Sequence, residues 1–76
     1  MVEIREEPSG KKTVFAGGHY LGVIFPVSTG FEWRNSLADR ITSPFTTGRT
    51  ATENAALLRL GVRTTKGLKI VQLESD

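Results

Sequence analysis

One stretch of this chain is marked as a helix at both ends, and every packing solution open to the rest must accommodate it. Thr50 and Glu53 have the spacing of a reciprocal N-terminal capping box. Gly61 stands where a left-handed C-terminal cap is wanted, a conformation glycine enters without a Cβ penalty. On a helical wheel Ala51, Ala55, Leu58 and Val62 share one face, Leu57 lies on its flank, and Leu60 projects from the other side. The residues on either side read as strand and turn. The sequence therefore predicts an α+β fold: a small antiparallel β-meander of four or five strands with one short α-helix packed on one face.

The strand signals are local and alternate with turns. Val2-Glu3-Ile4-Arg5-Glu6 alternates apolar and charged residues, as a half-buried strand does, and Pro8-Ser9-Gly10 closes it. Thr13 to Ala16 forms a second strand, joined through Gly17-Gly18 as a two-residue hairpin turn to the longest strand, His19 to Val27. There Leu21, Val23, Phe25 and Val27 fall on one face and Tyr20, Gly22, Ile24 and Pro26 on the other. Pro26 cannot donate to a ladder, so it marks an edge, a bulge or the strand end. Ser28-Thr29-Gly30 turns into Phe31-Glu32-Trp33-Arg34-Asn35. From Leu37 to Arg49 the chain loosens, with Phe45 the expected anchor to the core, and Leu68 to Leu73 forms a last strand.

Seventy-six residues make a single domain with a thin core, since a chain this short hides only about 60% of its extended surface. There is no cysteine, which excludes disulfides and Cys-based metal sites and favours a reducing setting. The apolar run Leu21 to Val27 is too short to span a bilayer, and the acidic Met1-Val2-Glu3 opening does not read as a signal peptide. A cytoplasmic location is the expectation, with no membrane and no metal involved. The charge is unevenly spread. Residues 1–10 carry net −2 and residues 70–76 again −2, while residues 11–69 hold nine Lys or Arg against Glu32, Asp39 and Glu53, net +6, within an overall charge of +2. A basic middle of this kind favours a polyanion if the bases gather on one face.

Catalysis has little to stand on. His19 is the one histidine, set beside a hairpin turn with no local nucleophile or acid spacing around it. Glu6 and Glu7 are adjacent and point apart in an extended chain. Gly17, Gly18 and Gly22 lead into more strand, not into a helix, so they form no phosphate loop. The chain is expected to be no enzyme, to have no catalytic residues and to need no cofactor.

Two binding functions remain open. For nucleic acid, Arg49 precedes the helix, and the Thr46–Thr50 loop would expose backbone amides at its positive end, where a phosphate can sit. Arg59, Arg63, Lys66 and Lys69 extend basic charge past the helix, and Arg34, Lys11 and Lys12 would carry it across the sheet. The run of short strands with Gly30-Phe31-Glu32-Trp33, then Ser43-Pro44-Phe45-Thr46-Thr47 and a helix with Ala51, Ala55 and Leu58, resembles the three-stranded-sheet-plus-helix domains of phage and transposon integrase arms and the AP2 DNA-binding domain. The resemblance covers roughly residues 19 to 60. It implies that the sheet enters the major groove and that Glu32 or Arg34 would read it. The strands here are less basic than in such readers, and Val2–Glu6 and Leu68–Leu73 are additional. The alternative is a protein-binding module, a phage-like inhibitor or adaptor or a homodimer. It follows from apolar residues on both faces of the longest strand: a helix covering Leu21, Val23 and Phe25 would leave Tyr20, Ile24 and Phe15 exposed.

Overall fold

The computed structural model describes residues 1–41 and 43–74; the Asp76 charge counted in the acidic tail lies outside them. The elements run β1 (Val2–Glu6), β2 (Lys12–Ala16), β3 (His19–Val27), β4 (Gly30–Asn35), a 3-10 turn at Ser36–Asp39, β5 (Thr47–Thr50), α1 (Glu53–Arg59) and β6 (Lys69–Gln72). The strands form one six-stranded sheet in the order β5-β4-β3-β2-β1-β6. Five of them make the expected antiparallel meander. β6 crosses to the far edge and pairs parallel to β1, so the sheet is mixed and larger than four or five antiparallel strands.

β5 is the strand that the sequence hides. Thr47-Gly48-Arg49-Thr50 has no apolar alternation, and it becomes a strand because β4 offers it a ladder, Arg34 opposite Thr47 and Phe31 opposite Thr50. This moves the start of the helix. Thr50 ends β5 and donates its hydroxyl to the Thr52 carbonyl (2.7 Å). Thr52 is the N-cap, accepting the Ala55 amide at 3.2 Å. Glu53 does not reach back to complete a capping box; its carboxylate is taken by the Lys12 ammonium from β2. The other end matches expectation. The Val62 amide bonds the Leu57 carbonyl (3.0 Å) and the Gly61 amide the Leu58 carbonyl (3.0 Å), a Schellman closure with Gly61 at φ +99°.

The helix also buries a different face from the one expected. Ala56, Leu57 and Leu60 are buried with Val62, whereas Leu58 is 61% exposed and Ala51 faces solvent. Glu53, Ala56, Leu57 and Leu60 follow the i, i+3, i+4, i+7 spacing of one face. That stripe opens on a carboxylate, which a hydrophobic wheel excludes but the Lys12 ion pair accommodates.

The core holds Ile4, Val14, Ile24, Trp33, Ala56, Leu57, Leu60 and Val62, with Val2, Leu21, Phe31 and Leu68 against its rim. The covered face of β3 is thus the Gly22–Ile24 face, the reverse of expectation, and Ile24 is only 1% exposed. A bulge accounts for part of the reversal. Val14 lies opposite Gly22 but Phe15 lies opposite Tyr20, so Leu21 is an extra residue that turns in against the core and sends Tyr20 out beside Phe15. Gly22, at φ +150°, is where this happens; a Cβ there would stand 2.2 Å from the Arg34 carbonyl oxygen and 2.9 Å from a Leu60 methyl. Gly48 leaves the matching space for the Trp33 ring, which a Cβ would meet at 2.8 Å. Phe45 anchors nothing, being 85% exposed. Its neighbour Thr46 is the buried residue, with its hydroxyl 3.0 Å from the Ser43 carbonyl.

Two stability measurements check this packing. In urea denaturation, Leu57→Ala is expected to cost about 2–5 kcal/mol, while Leu58→Ala stays within about 0.5 kcal/mol. Equal losses would restore the face read from the wheel. Gly22→Ala is expected to cost at least about 2 kcal/mol, because the obstructing atom is backbone and the φ is unfavourable to a side chain.

Candidate nucleic-acid interface

The helix and the segment after it lie on one face of the sheet, and the side chains of alternate residues line the other. Register sets that outer face out in cross-strand rows, since residues directly opposite share a face. One row runs Arg49, Glu32, Phe25 and then Lys11; the next runs Thr47, Arg34, Val23, Thr13, Arg5 and Val71; a third joins Tyr20, Phe15, Glu3 and Lys69. Three aromatic rings are thereby interleaved with five bases.

The contacts along these rows are specific. The Arg5 guanidinium sits 4.4 Å from the Phe15 ring centroid while its Nε donates to Glu3 at 2.7 Å. The Lys11 ammonium stands 5.7 Å from the Phe25 ring and 3.8 Å from the Glu7 carboxylate. Arg49 lies 3.7 Å from Glu32. Phe15 and Tyr20 meet at 5.9 Å between ring centroids, tilted by 57°. Arg34 and Lys69 take part in none of the ion pairs among the described residues. Glu32, Arg34, Thr47, Gly48 and Arg49 line a shallow depression at the β4–β5 edge.

Two ionisable groups on this face are displaced from their ordinary values. The hydrogen bond from Arg5 holds the Glu3 carboxyl below its ordinary value, with the Arg5 and Lys69 charges adding to it against a smaller opposing effect of burial. Burial pushes the Tyr20 phenol up, the Asp39 carboxylate pushes it further, and the Arg34 charge pulls it partly back. Arg34 and Asp39 therefore both act on this ring.

The residues singled out from the sequence divide between two surfaces. Arg34 and Arg49 lie on the outer face. Arg59 is in the last turn of α1, and Arg63 and Lys66 follow it, all exposed on the helix side of the sheet. The sheet and its core lie between Arg34 and Arg49 on one side and Arg59 and Arg63 on the other. Lys12 leaves the basic set too; it faces inward, bound to Glu53 and 3.7 Å from Glu6. The phosphate site expected at the helix start also falls away, since Thr47–Thr50 is strand and Glu53 occupies the first helical position. Of the set read as a protein-binding patch, Tyr20 and Phe15 are on the outer face and Ile24 is in the core. Phe25 and Arg5 carry no such signal in the sequence alone; Lys11 opposite Phe25 is the nearest to one, and it depends on the register.

His19 lies exposed at the start of β3, opposite Ala16. Among the described residues no group of three His, Asp or Glu is placed to hold a metal ion, and no helix is long and apolar enough to cross a membrane.

The phenol gives a clean readout, as Tyr20 is the one tyrosine in the chain. An ultraviolet titration should find it ionising above its usual value of about 10, and Asp39→Asn should bring it down. A folded-state value that is raised contributes stability below the unfolded-state value, lost as pH rises through the folded one. Stability should therefore fall on the alkaline side, and Tyr20→Phe should flatten that fall. Compared with protein families, with curated proteins and with solved structures, the chain matches none.

Proposed function

We propose that this chain is a non-enzymatic binding protein whose uncovered sheet face takes nucleic acid. The observation that carries the reading is the alternation on that face of Phe15, Tyr20 and Phe25 with Arg5, Lys11, Arg34, Arg49 and Lys69. Bases offer ring faces to aromatic side chains and phosphates offer charge to the cations, so both halves of such a ligand find partners. Glu3, Glu7 and Glu32 temper the field, yet each is already engaged with Arg5, Lys11 or Arg49. Exposed pairs of this kind hold together by only about 0.2–1 kcal/mol and exchange readily for a phosphate. Arg34, with no carboxylate partner among the described residues, is the primary phosphate contact.

A second reading, a protein partner or a second copy of this chain, has one observation in its favour. Tyr20, Leu37, Ile41 and Phe45 are large apolar side chains exposed by 39%, 50%, 52% and 85%, and such groups mark interaction surfaces where they are contiguous.

The test is fluorescence anisotropy of labelled oligonucleotides at a series of salt concentrations. Arg34→Ala is expected to weaken binding about five- to tenfold and to lower the salt slope by about one. Arg63→Ala, on the other side of the sheet, is expected to leave both nearly unchanged. Absence of binding at low salt sinks the reading, and equal effects of the two variants move the interface to the helix side.

A further inference from the structure

We infer that β6 is an interface between two copies of this chain, pairing antiparallel with itself about a two-fold axis at Ile70 so that the two sheets join edge to edge. The inference is independent of the nucleic-acid reading above. Its first support is the state of that edge. Among the described residues β6 has β1 as its one neighbour strand. The Leu73 amide donates to the Glu6 carbonyl at 2.8 Å, and the peptide groups of successive strand residues turn to alternate sides. Those of Val71 and Leu73 therefore face β1, while those of Ile70 and Gln72 point to the open side. A row of such groups is a template for another strand. β6 follows β1 from Lys69 to Gln72 without a register shift, contains no proline, and carries its one charge, Lys69, on the outer face opposite Glu3. Neither a bulge, a proline nor an inner-face charge blunts the edge.

The second support is what the open side presents on the inner face. Residues directly opposite share a face, so Val14 and Ile4 are followed across the sheet by Ile70. The first two are 0% and 2% exposed and belong to the core, whereas Ile70 is 55% exposed. The helix packs mainly toward the other edge, and the apolar row stops at Ile70 because the sheet does. A second copy completes it. With Ile70 opposite the partner's Ile70, the row reads Val14, Ile4, Ile70 and then the same three residues in reverse, and each Ile70 amide donates to the Ile70 carbonyl of the other copy. On the outer face this register sets Lys69 opposite the partner's Val71, so the two ammonium groups are not directly opposed. An axis at Val71 would instead set Ile70 against the partner's Gln72. The far edge, β5, offers no equivalent, since its inner-face residues are Gly48 and Thr50 and the helix packs over them. Pairing of β6 with β6 closes at two copies, whereas pairing of β6 with β5 would continue without end. A seam four residues long is small, so the association is weak and reversible.

The experiment is sedimentation velocity of the full chain from about 1 μM to about 1 mM, with amide hydrogen exchange read residue by residue at both ends of that range. A monomer–dimer equilibrium is expected, with the Ile70 amide exchanging at least about fivefold more slowly where dimer predominates and the Val71 amide, already bonded to β1, unchanged. Ile70→Lys sets like charges against each other at the axis. Gln72→Pro removes an N–H that points away from β1 and puts a ring in the path of a second strand. Each is expected to weaken dimerisation at least about tenfold. Leu58→Lys, at an exposed helix position, is expected to leave it unchanged, and emission of the buried Trp33 reports the fold of every variant. A chain that stays monomeric throughout, species that grow beyond the dimer, or folded Ile70→Lys and Gln72→Pro variants that dimerise like the wild type overturn the inference. Loss of the dimer in Leu58→Lys overturns it too. Should both β6 variants unfold, the exchange measurement on the wild-type chain decides alone: an Ile70 amide indifferent to concentration rules the interface out.

Discussion

Everything in this molecule depends on one short helix having to close a core under a sheet much wider than itself. Seven residues span about 10 Å, and six strands spaced at about 4.8 Å extend over roughly 24 Å. The helix therefore lies mainly across β3, β4 and β5. It must settle close to the sheet there, and glycines on the inner face make that possible: Gly22 under Leu60 and Gly48 against Trp33. The Schellman closure then turns the chain so that Val62 is buried with Leu57, and Leu68 reaches the rim of the core farther on. Among the described residues this helix is the one α-helix, and it packs on the inner face alone.

The polar end of the inner face follows from the same constraint. Past the reach of Leu57 and Leu60, the row across β6, β1 and β2 is Gln72, Glu6 and Lys12, and Lys12 also takes Glu53 from the helix. Each of these groups finds a polar partner, so the core ends in an ion-pair network where apolar material runs out. The Lys12–Glu53 contact ties β2 to the first turn of the helix. By occupying Glu53 it leaves Thr52 alone to cap that end.

Most strand boundaries were legible because they are local. The Gly17-Gly18 turn and the alternation of Val2–Glu6 specify themselves within a few residues, and the C-terminal cap at Gly61 does too. The rest needed partners distant in sequence. Thr47–Thr50 is a strand only opposite β4, and the choice between Thr50 and Thr52 as N-cap turns on that pairing. The two faces of β3 both read as apolar, and a bulge at Leu21 moves one residue across the sheet, so alternation alone assigned the wrong face to the helix. Of the candidate site, Arg34, Arg49, Tyr20 and Phe15 were legible as surface residues. Their separation from Arg59, Arg63 and Lys66 was not, since only the position of the helix decides which side each occupies.

The carboxylates on the outer face are best understood through the apolar groups they help to cover. Phe15 and Phe25 are only half-buried, and the cations over their rings shield them from water in the absence of a ligand. A cation held over a ring by Glu3 or Glu7 is oriented, and its stem covers apolar surface that would otherwise promote association. The same pairs lower the free positive charge and with it the attraction for phosphate at a distance. A face built in this way gives up long-range steering and relies on short-range contact with rings and stems.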